Sequence, residues 1–229
     1  FDVVALGELL IDFTENGISG NGNLLLEANP GGAPCNVLAM LARLGKTTAF
    51  IGKVGNDRFG KVLSETIKDC GICADGLVFD DIVHTTLAFV HKKTDGDRDF
   101  SFYREPGADM MLRKCEIDEE IIKSAKIFHF GTLSSTHEGV REATRYGVDI
   151  AKESGALISF DPNLRPPLWD SLEDARREIE YGLSKCDILK ISDEELPLLT
   201  GLTDPVEGSR QLCSLGIRLV FVTLGAEGA

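Results

Sequence analysis

Six apolar runs of strand length recur along the 229 residues, at 3–6, 48–51, 127–130, 157–160, 188–191 and 219–222, and amphipathic stretches separate most of them. Runs this short, with no polar alternation, ask for burial on both faces, which a mainly parallel sheet covered by helices provides. Helical periodicity predicts helices at 36–44, 59–70, 118–124, 136–153, 172–185, 193–200 and 205–215. Several begin on readable caps: Ser135 with Glu138, Ser171 with Asp174, and Asp204 before Pro205 with Glu207. Polar groups follow directly on the carboxyl ends of different expected strands: Gly131-Thr132, Asp161-Pro162-Asn163, Ser192 and Thr223-Leu224-Gly225. In an open α/β sheet that edge is where ligands bind, so these residues point to one cleft.

The segment Gly31-Gly32-Ala33-Pro34-Cys35-Asn36 joins a bare turn to an expected helix. Glycines let the main chain approach a ligand closely, and the helix start directs unpaired N–H groups and the positive end of its dipole to the same place. Asn36 adds donors and an acceptor suited to hydroxyl groups. A tight loop feeding a core helix explains the same residues without any ligand. A second glycine-spaced turn, Gly52-Lys53-Val54-Gly55-Asn56-Asp57-Arg58-Phe59-Gly60, precedes the next helical stretch.

Two regions break the alternation. Residues 8–13 with 23–27, and 84–91 with 99–104, read as strand pairs without a helical crossover. The second pair is joined through Lys92-Lys93-Thr94-Asp95-Gly96-Asp97, whose Asp-Gly step is a hairpin signal. Together they predict a small, separate sheet. Asp12 lies on its first strand among Leu10, Ile11 and Phe13, where it either marks a solvent face or accepts hydrogen bonds from a ligand. Phe100, Phe102 and Arg104 alternate on one face of the last strand, with Ser101 and Tyr103 on the other. Which face points inward stays open, and a cross-strand aromatic cluster accounts for the rings equally well.

Taken together, these segments resemble the PfkB/ribokinase family of sugar kinases. The resemblance runs the length of the chain: Gly7-Glu8-Leu9-Leu10-Ile11-Asp12-Phe13, the two glycine turns, Arg104-Glu105-Pro106-Gly107-Ala108-Asp109, Asp161-Pro162-Asn163-Leu164-Arg165, and Val222-Thr223-Leu224-Gly225-Ala226-Glu227-Gly228. The Arg104 and Asp161 segments look most like the fructokinase branch. The resemblance implies a ribokinase-like three-layer α/β sandwich with a mainly parallel central sheet and a small β-sheet lid. It implies one domain over 1–229, with lid segments at about 8–28 and 83–105 that close over a sugar and exclude water. ATP is then the phosphoryl donor and fructose the favoured acceptor. The nearer alternatives are 2-keto-3-deoxygluconate and ribose; a non-catalytic sugar-binding module of the same fold is the more distant one.

The same resemblance assigns roles. Asp12, Gly31, Gly32, Asn36, Phe102, Arg104, Asp161 and Asn163 would hold the sugar, and Arg165 would stabilise charge on the transferring phosphoryl group. Lys190, Ser192, Glu195, Thr223, Gly225 and Gly228 would receive the nucleotide, with Glu195 also meeting the hydration shell of Mg2+. A monovalent cation such as K+ is a further candidate. Each assignment has a plainer rival: a surface arginine for Arg165, and a strand-terminating turn for Thr223 to Gly228. Ser192 stands where the family has Asn in an Asn-x-x-Glu motif, and Ser192-Asp193-Glu194-Glu195 is a capping box in its own right. Members of the family continue into a Gly-Ala-Gly-Asp segment with the catalytic Asp. No such segment occurs here and the first residue is Phe1, so the sequence resembles part of a longer kinase. Lids of this kind pair between subunits, which makes a homodimer through the lid a candidate assembly.

Composition narrows the partners. A formal net charge of −13 argues against nucleic acid or an anionic membrane, yet helix N-termini and a few fixed cations can still hold a nucleotide's phosphates. No run approaches the ~20 apolar residues of a membrane span. The chain opens on a strand pattern instead of a signal peptide, and its six cysteines are scattered, as in a reduced cytoplasmic protein. Cys70 and Cys73 form a lone C-x-x-C of structural character. Gly45-Lys46-Thr47 mimics the end of a P-loop, but Met40 occupies the place of its first glycine, and the four histidines show no metal-ligand spacing.

Overall fold

β1 (Val3–Leu6) is buried at every position, as four consecutive apolar side chains require. Val4 and Leu6 enter one hydrophobic cluster, Val3 and Ala5 another, because alternate side chains leave opposite faces of the strand. The computed structural model describes residues 1–92 and 98–229. The chain continues through β2 (Leu10–Ile18), β3 (Leu24–Gly31), α1 (Ala33–Arg43), β4 (Thr48–Gly55), α2 (Arg58–Asp69), β5 (Ile72–Asp80), β6 (Leu87–Lys92) and β7 (Arg98–Tyr103). It then forms α3 (Glu119–Lys123), β8 (Ile127–Gly131), α4 (Glu138–Glu153), β9 (Leu157–Asp161), α5 (Leu172–Lys185), β10 (Ile188–Ser192), α6 (Leu196–Thr200), α7 (Pro205–Ser214) and β11 (Leu219–Thr223).

Among the described residues the strands form a seven-stranded sheet, β11-β10-β9-β8-β1-β4-β5, and a four-stranded sheet, β3-β2-β6-β7. Every pairing within the larger sheet is parallel. Leu38 of α1 and Leu63 and Ile67 of α2 pack on the Val3 face; Val140 of α4, Ile179 of α5 and Leu212 of α7 pack on the Val4 face with Phe128, Phe130 and Phe160. The result is the expected three-layer α/β sandwich. No helix among the described residues is long and apolar enough to cross a membrane, and all six cysteines are free thiols.

Several sequence expectations need correction. β5 was not among the expected strands; its apolar run is interrupted by Asp75-Gly76. In the structure that dipeptide marks a register shift within the strand, between the Ala49 and Ile51 pairings, and a Cβ on Gly76 would lie 2.8 Å from the Phe50 carbonyl oxygen. α1 begins at Ala33, three residues before the predicted start, since Pro34 is pre-shaped for a first helical turn. α4 begins at Glu138 and is capped by His137, whose Nδ1 accepts from Gly139 N; Ser135 belongs to a preceding 3-10 turn and caps nothing. The caps at Ser171 and Asp204 are as expected.

In the smaller sheet β2 runs antiparallel to β3, with Asp12 opposite Asn29, and parallel to β6, which is antiparallel to β7. The expected Asp95-Gly96 turn lies outside the described residues. Phe13 stacks on Phe89 at 5.1 Å and meets Phe59 of α2 edge-on at 5.7 Å, fastening this sheet to the body. Asp57 reinforces the join: it caps α2 at Gly60 N and accepts from Thr85 N and Thr85 Oγ1, each at 2.8 Å. Strand order in the larger sheet reverses beside β1, with β4 on one side and β8 on the other. The carboxyl ends of β1 and β8 therefore frame a crevice of the kind that receives ligands in open α/β sheets.

Candidate functional site

A cavity of about 640 Å³ occupies that crevice under the smaller sheet, and Asp12, Gly32, Asn36, Phe102, Asp161, Asn163, Arg165 and Lys190 all line it. Residues from β2, α1, β7, β9 and β10 thus meet around one space; of the polar strand ends expected to share one cleft, Asp161 and Asn163 line this cavity, whereas Gly131, Thr132, Ser192, Thr223 and Gly225 do not. Glu8, Asn29, Phe100 and Leu133 complete much of the remaining wall. Phe100 and Phe102 face the cavity, which settles the inward face of β7.

Asp12 carries a half-buried carboxylate that receives no hydrogen bond from any described residue; Asn29 Nδ2 reaches only its main-chain oxygen, at 3.4 Å. Burial raises its pKa, and the Arg165 guanidinium across the cavity pulls it back down. The glycine pair makes room for this arrangement. A Cβ on Gly31 would lie 2.2 Å from Asp12 Oδ2, and Gly32, at φ 124°, would place one 2.4 Å from the Glu8 carbonyl oxygen. Gly31 therefore acts by packing against Asp12.

Asp161, Asn163 and Arg165 are presented by the turn leaving β9. Asn163 adopts the left-handed conformation, φ 43°, and donates its N–H to Asp161 Oδ1 at 3.1 Å. Burial raises the Asp161 pKa, opposed by Lys190, whose Nζ lies 3.2 Å from Oδ2. The guanidinium of Arg165 stands 5.6 Å from the Phe100 ring centre, held over the cavity.

Arg104 is placed elsewhere. Sequence alternation put it on the face of Phe100 and Phe102, but β7 ends at Tyr103, the parity stops there, and the side chain turns into the body. Its guanidinium pairs with Asp109 Oδ2 at 2.7 Å and donates to Thr136 Oγ1 at 2.8 Å and Leu133 O at 2.9 Å. It does not line the main cavity; it anchors the lid strand that carries Phe102.

Ser192, Glu195, Thr223, Gly225 and Gly228 form a second group, at the carboxyl ends of β10 and β11. Ser192 pairs with Thr223 across the two strands. The expected capping box forms, with Glu195 N donating to Ser192 Oγ at 3.2 Å and Glu195 Oε2 accepting from Ser192 N at 2.9 Å and Ser192 Oγ at 3.1 Å, while Oε1 accepts from Leu164 N at 2.8 Å. The helix expected from 193 begins only at Leu196, because Pro197 has no N–H to offer the Asp193 carbonyl. Glu195 thereby ties this strand end to the turn bearing Arg165. Gly225 (φ 59°) and Gly228 (φ 100°) shape an exposed turn closed by Leu224 N donating to Gly228 O at 2.7 Å. Among the described residues no three His, Cys, Asp or Glu side chains gather as a metal site.

Glu8 escaped the sequence reading. It is 4% exposed, borders the cavity, and accepts a hydrogen bond from Ala33 N, 25 residues away, at 2.8 Å. Its place in an apolar run gives no local signal of that contact.

Residues 1–229 match the pfkB family of carbohydrate kinases. The probable fructokinase-4 of Arabidopsis thaliana is 46% identical over 231 residues, covering 99% of this chain and 70% of that protein. Among solved structures, fructokinase from Vibrio cholerae O395 with fructose, ADP and calcium ion bound superimposes with a TM-score of 0.88 at 33% identity, covering 99% of this chain and 72% of that one. Fructokinase from Xylella fastidiosa with bound ATP gives a TM-score of 0.85 at 34% identity, covering 98% and 73%.

Proposed function

The chain belongs to the pfkB family of carbohydrate kinases, and from that premise we propose that it binds fructose beneath the lid for phosphoryl transfer from ATP to a primary hydroxyl, giving fructose 6-phosphate. One observation carries the reading: the Asp12 carboxylate faces a lidded cavity with no donor among the described residues, the arrangement expected where ligand hydroxyls supply the hydrogen bonds. Gly31, Gly32 and Asn36 form the floor around it, Phe102 covers the sugar, and Asp161 and Asn163 close the side toward β9. Arg165 and Lys190, at the same wall, stand where the phosphoryl group would pass. Ser192, Thr223, Gly225 and Gly228 then receive the nucleotide.

Glu195 fits a role beside the Mg2+ that accompanies ATP. Both its oxygens are engaged, which fixes the carboxylate in place and suits contact through the ion's water shell better than direct ligation. The ion would neutralise phosphate charge. Free thiols throughout support a cytoplasmic setting. Ile18 (64% exposed), Leu24 (53%) and Tyr103 (68%) leave apolar surface on the lid, in keeping with lid-to-lid pairing of two copies.

Turnover with ATP and fructose, 2-keto-3-deoxygluconate or ribose by a full-length kinase, one that carries the Gly-Ala-Gly-Asp segment as well as these residues, tests the reading. Preference for fructose supports it, preference for another sugar reassigns the substrate, and no ADP production with any of the three overturns it. Arg165→Ala is expected to lower kcat by about 100-fold or more while sugar affinity shifts only a few-fold, because one preorganised charge aimed at the transferring group contributes about 3 kcal/mol to the transition state.

A further inference from the structure

Glu8 leaves β1 at the point where strand order reverses, on the wall of the sugar cavity. Its carboxyl is already committed on one side, to the first amide of α1. The same carboxyl borders a chamber of about 10 Å³ shared with His129, Asp161 and Asn163, room for about one water molecule. We propose that Glu8 is a second acidic ligand of the sugar, accepting a hydroxyl hydrogen bond as a carboxylate, so that sugar binding expels a proton from it. The proposal rests on the sugar-kinase reading above.

The surroundings favour this. Without ligand, burial pushes the Glu8 pKa up to about 7, with Asp109 adding to the rise and Ala33 N and Arg104 opposing it. Hydroxyl donors stabilise the charged form, so a bound sugar lowers that pKa and, by linkage, affinity rises with pH until Glu8 is ionised in the free protein. Other groups facing Glu8 are accounted for. His129, on β8, is held down near 4 by burial and by Lys190, so it stays neutral at pH 6 and above. Cys35, on α1, is buried and its thiol is raised well above the usual range. Asp12 on β2 and Asp161 on β9 also border the site and have raised carboxyls, so the test must separate them from Glu8.

Calorimetric titration with fructose, 2-keto-3-deoxygluconate and ribose at pH 6 and pH 8, in buffers of different ionisation enthalpy, makes that separation. The unaltered protein should release close to one proton per sugar at pH 6 and about a tenth of that at pH 8, with affinity about ten-fold weaker at pH 6. Glu8→Gln keeps an acceptor for Ala33 N; it should lose both the proton release and the pH dependence, and bind about ten-fold more weakly at pH 8. Sugar binding without proton release at pH 6 would overturn the proposal while leaving the kinase reading intact. Unchanged proton release in Glu8→Gln would overturn it in favour of Asp12 or Asp161. Failure of all three sugars to bind would remove both readings. Because the first measurement uses the unaltered protein, a folding defect in the variant would not protect the proposal.

Discussion

Asp12→Ala should weaken fructose binding by about 100-fold or more, with little change in thermal stability. The carboxylate makes no hydrogen bond within the described protein, so its removal leaves no buried partner stranded. What is lost is a charged acceptor for sugar hydroxyls, at about 1.5–3 kcal/mol for each bond, and two such bonds correspond to at least a hundred-fold. Gly31→Ala should produce much of the same loss by a different route. Its new methyl would fall 2.2 Å from Asp12 Oδ2, and a side chain as short as aspartate has to swing its carboxylate away to make room. If both variants act on one carboxylate, their effects do not add, and the double variant binds as weakly as Asp12→Ala alone. Calorimetric titration of the three proteins decides the matter. Additive losses would mean that Gly31 serves the sugar directly, and near-normal binding by Asp12→Ala would remove the sugar pocket from this cavity.

The parts of this site that could be read in the sequence are those governed by short-range rules. Strand ends carry polar residues because a parallel sheet hides its middle and opens at its edge; Asp161 and Asn163 were foreseen on that ground alone, whereas Lys190 was expected only from the family resemblance. Period-two alternation placed Phe102 beside Phe100 on one face, and the structure turns that face to the cavity. The same rule failed one step later, at Arg104, because alternation holds only while the chain remains a strand. β5 was missed for a related reason: Asp75-Gly76 breaks its apolar run, and the strand continues through that irregularity only because β4 pairs with it on both sides. The contact between Glu195 and Ser192 was legible as a capping box, but the reach of Glu195 to Leu164 N and of Glu8 to Ala33 N was beyond local reading, because those contacts span 31 and 25 residues and exist only once the sheet has brought the turns together.

Asp109→Ala should lower the melting temperature by about 10 °C. Asp109 and Arg104 are each 4% exposed, and their pair lies at the base of the lid, where β7 returns to the body. Arg104 donates Nε to Asp109 Oδ2 at 2.8 Å, and Thr86, just ahead of β6, donates its hydroxyl to Oδ1 at 2.5 Å, so one carboxylate holds both strands of the lid hairpin. A buried ion pair need not stabilise a fold relative to apolar residues of equal volume, since removing two charges from water offsets much of their attraction. Breaking the pair is another matter. It leaves a guanidinium buried with, among the described residues, only Thr136 and the Leu133 carbonyl as partners, which costs about 3–5 kcal/mol, and in a chain of this size each kcal/mol moves the midpoint by about 2–4 °C. Asp109→Leu combined with Arg104→Met removes both charges and should recover most of the lost stability, while fructose affinity stays low because the strand carrying Phe102 has lost its polar anchorage. Thermal unfolding of the single and double variants checks the first claim, and titration with fructose checks the second. A midpoint within 2 °C of the unaltered protein for Asp109→Ala would mean that the guanidinium reaches water, and the lid base would then be looser than its packing indicates.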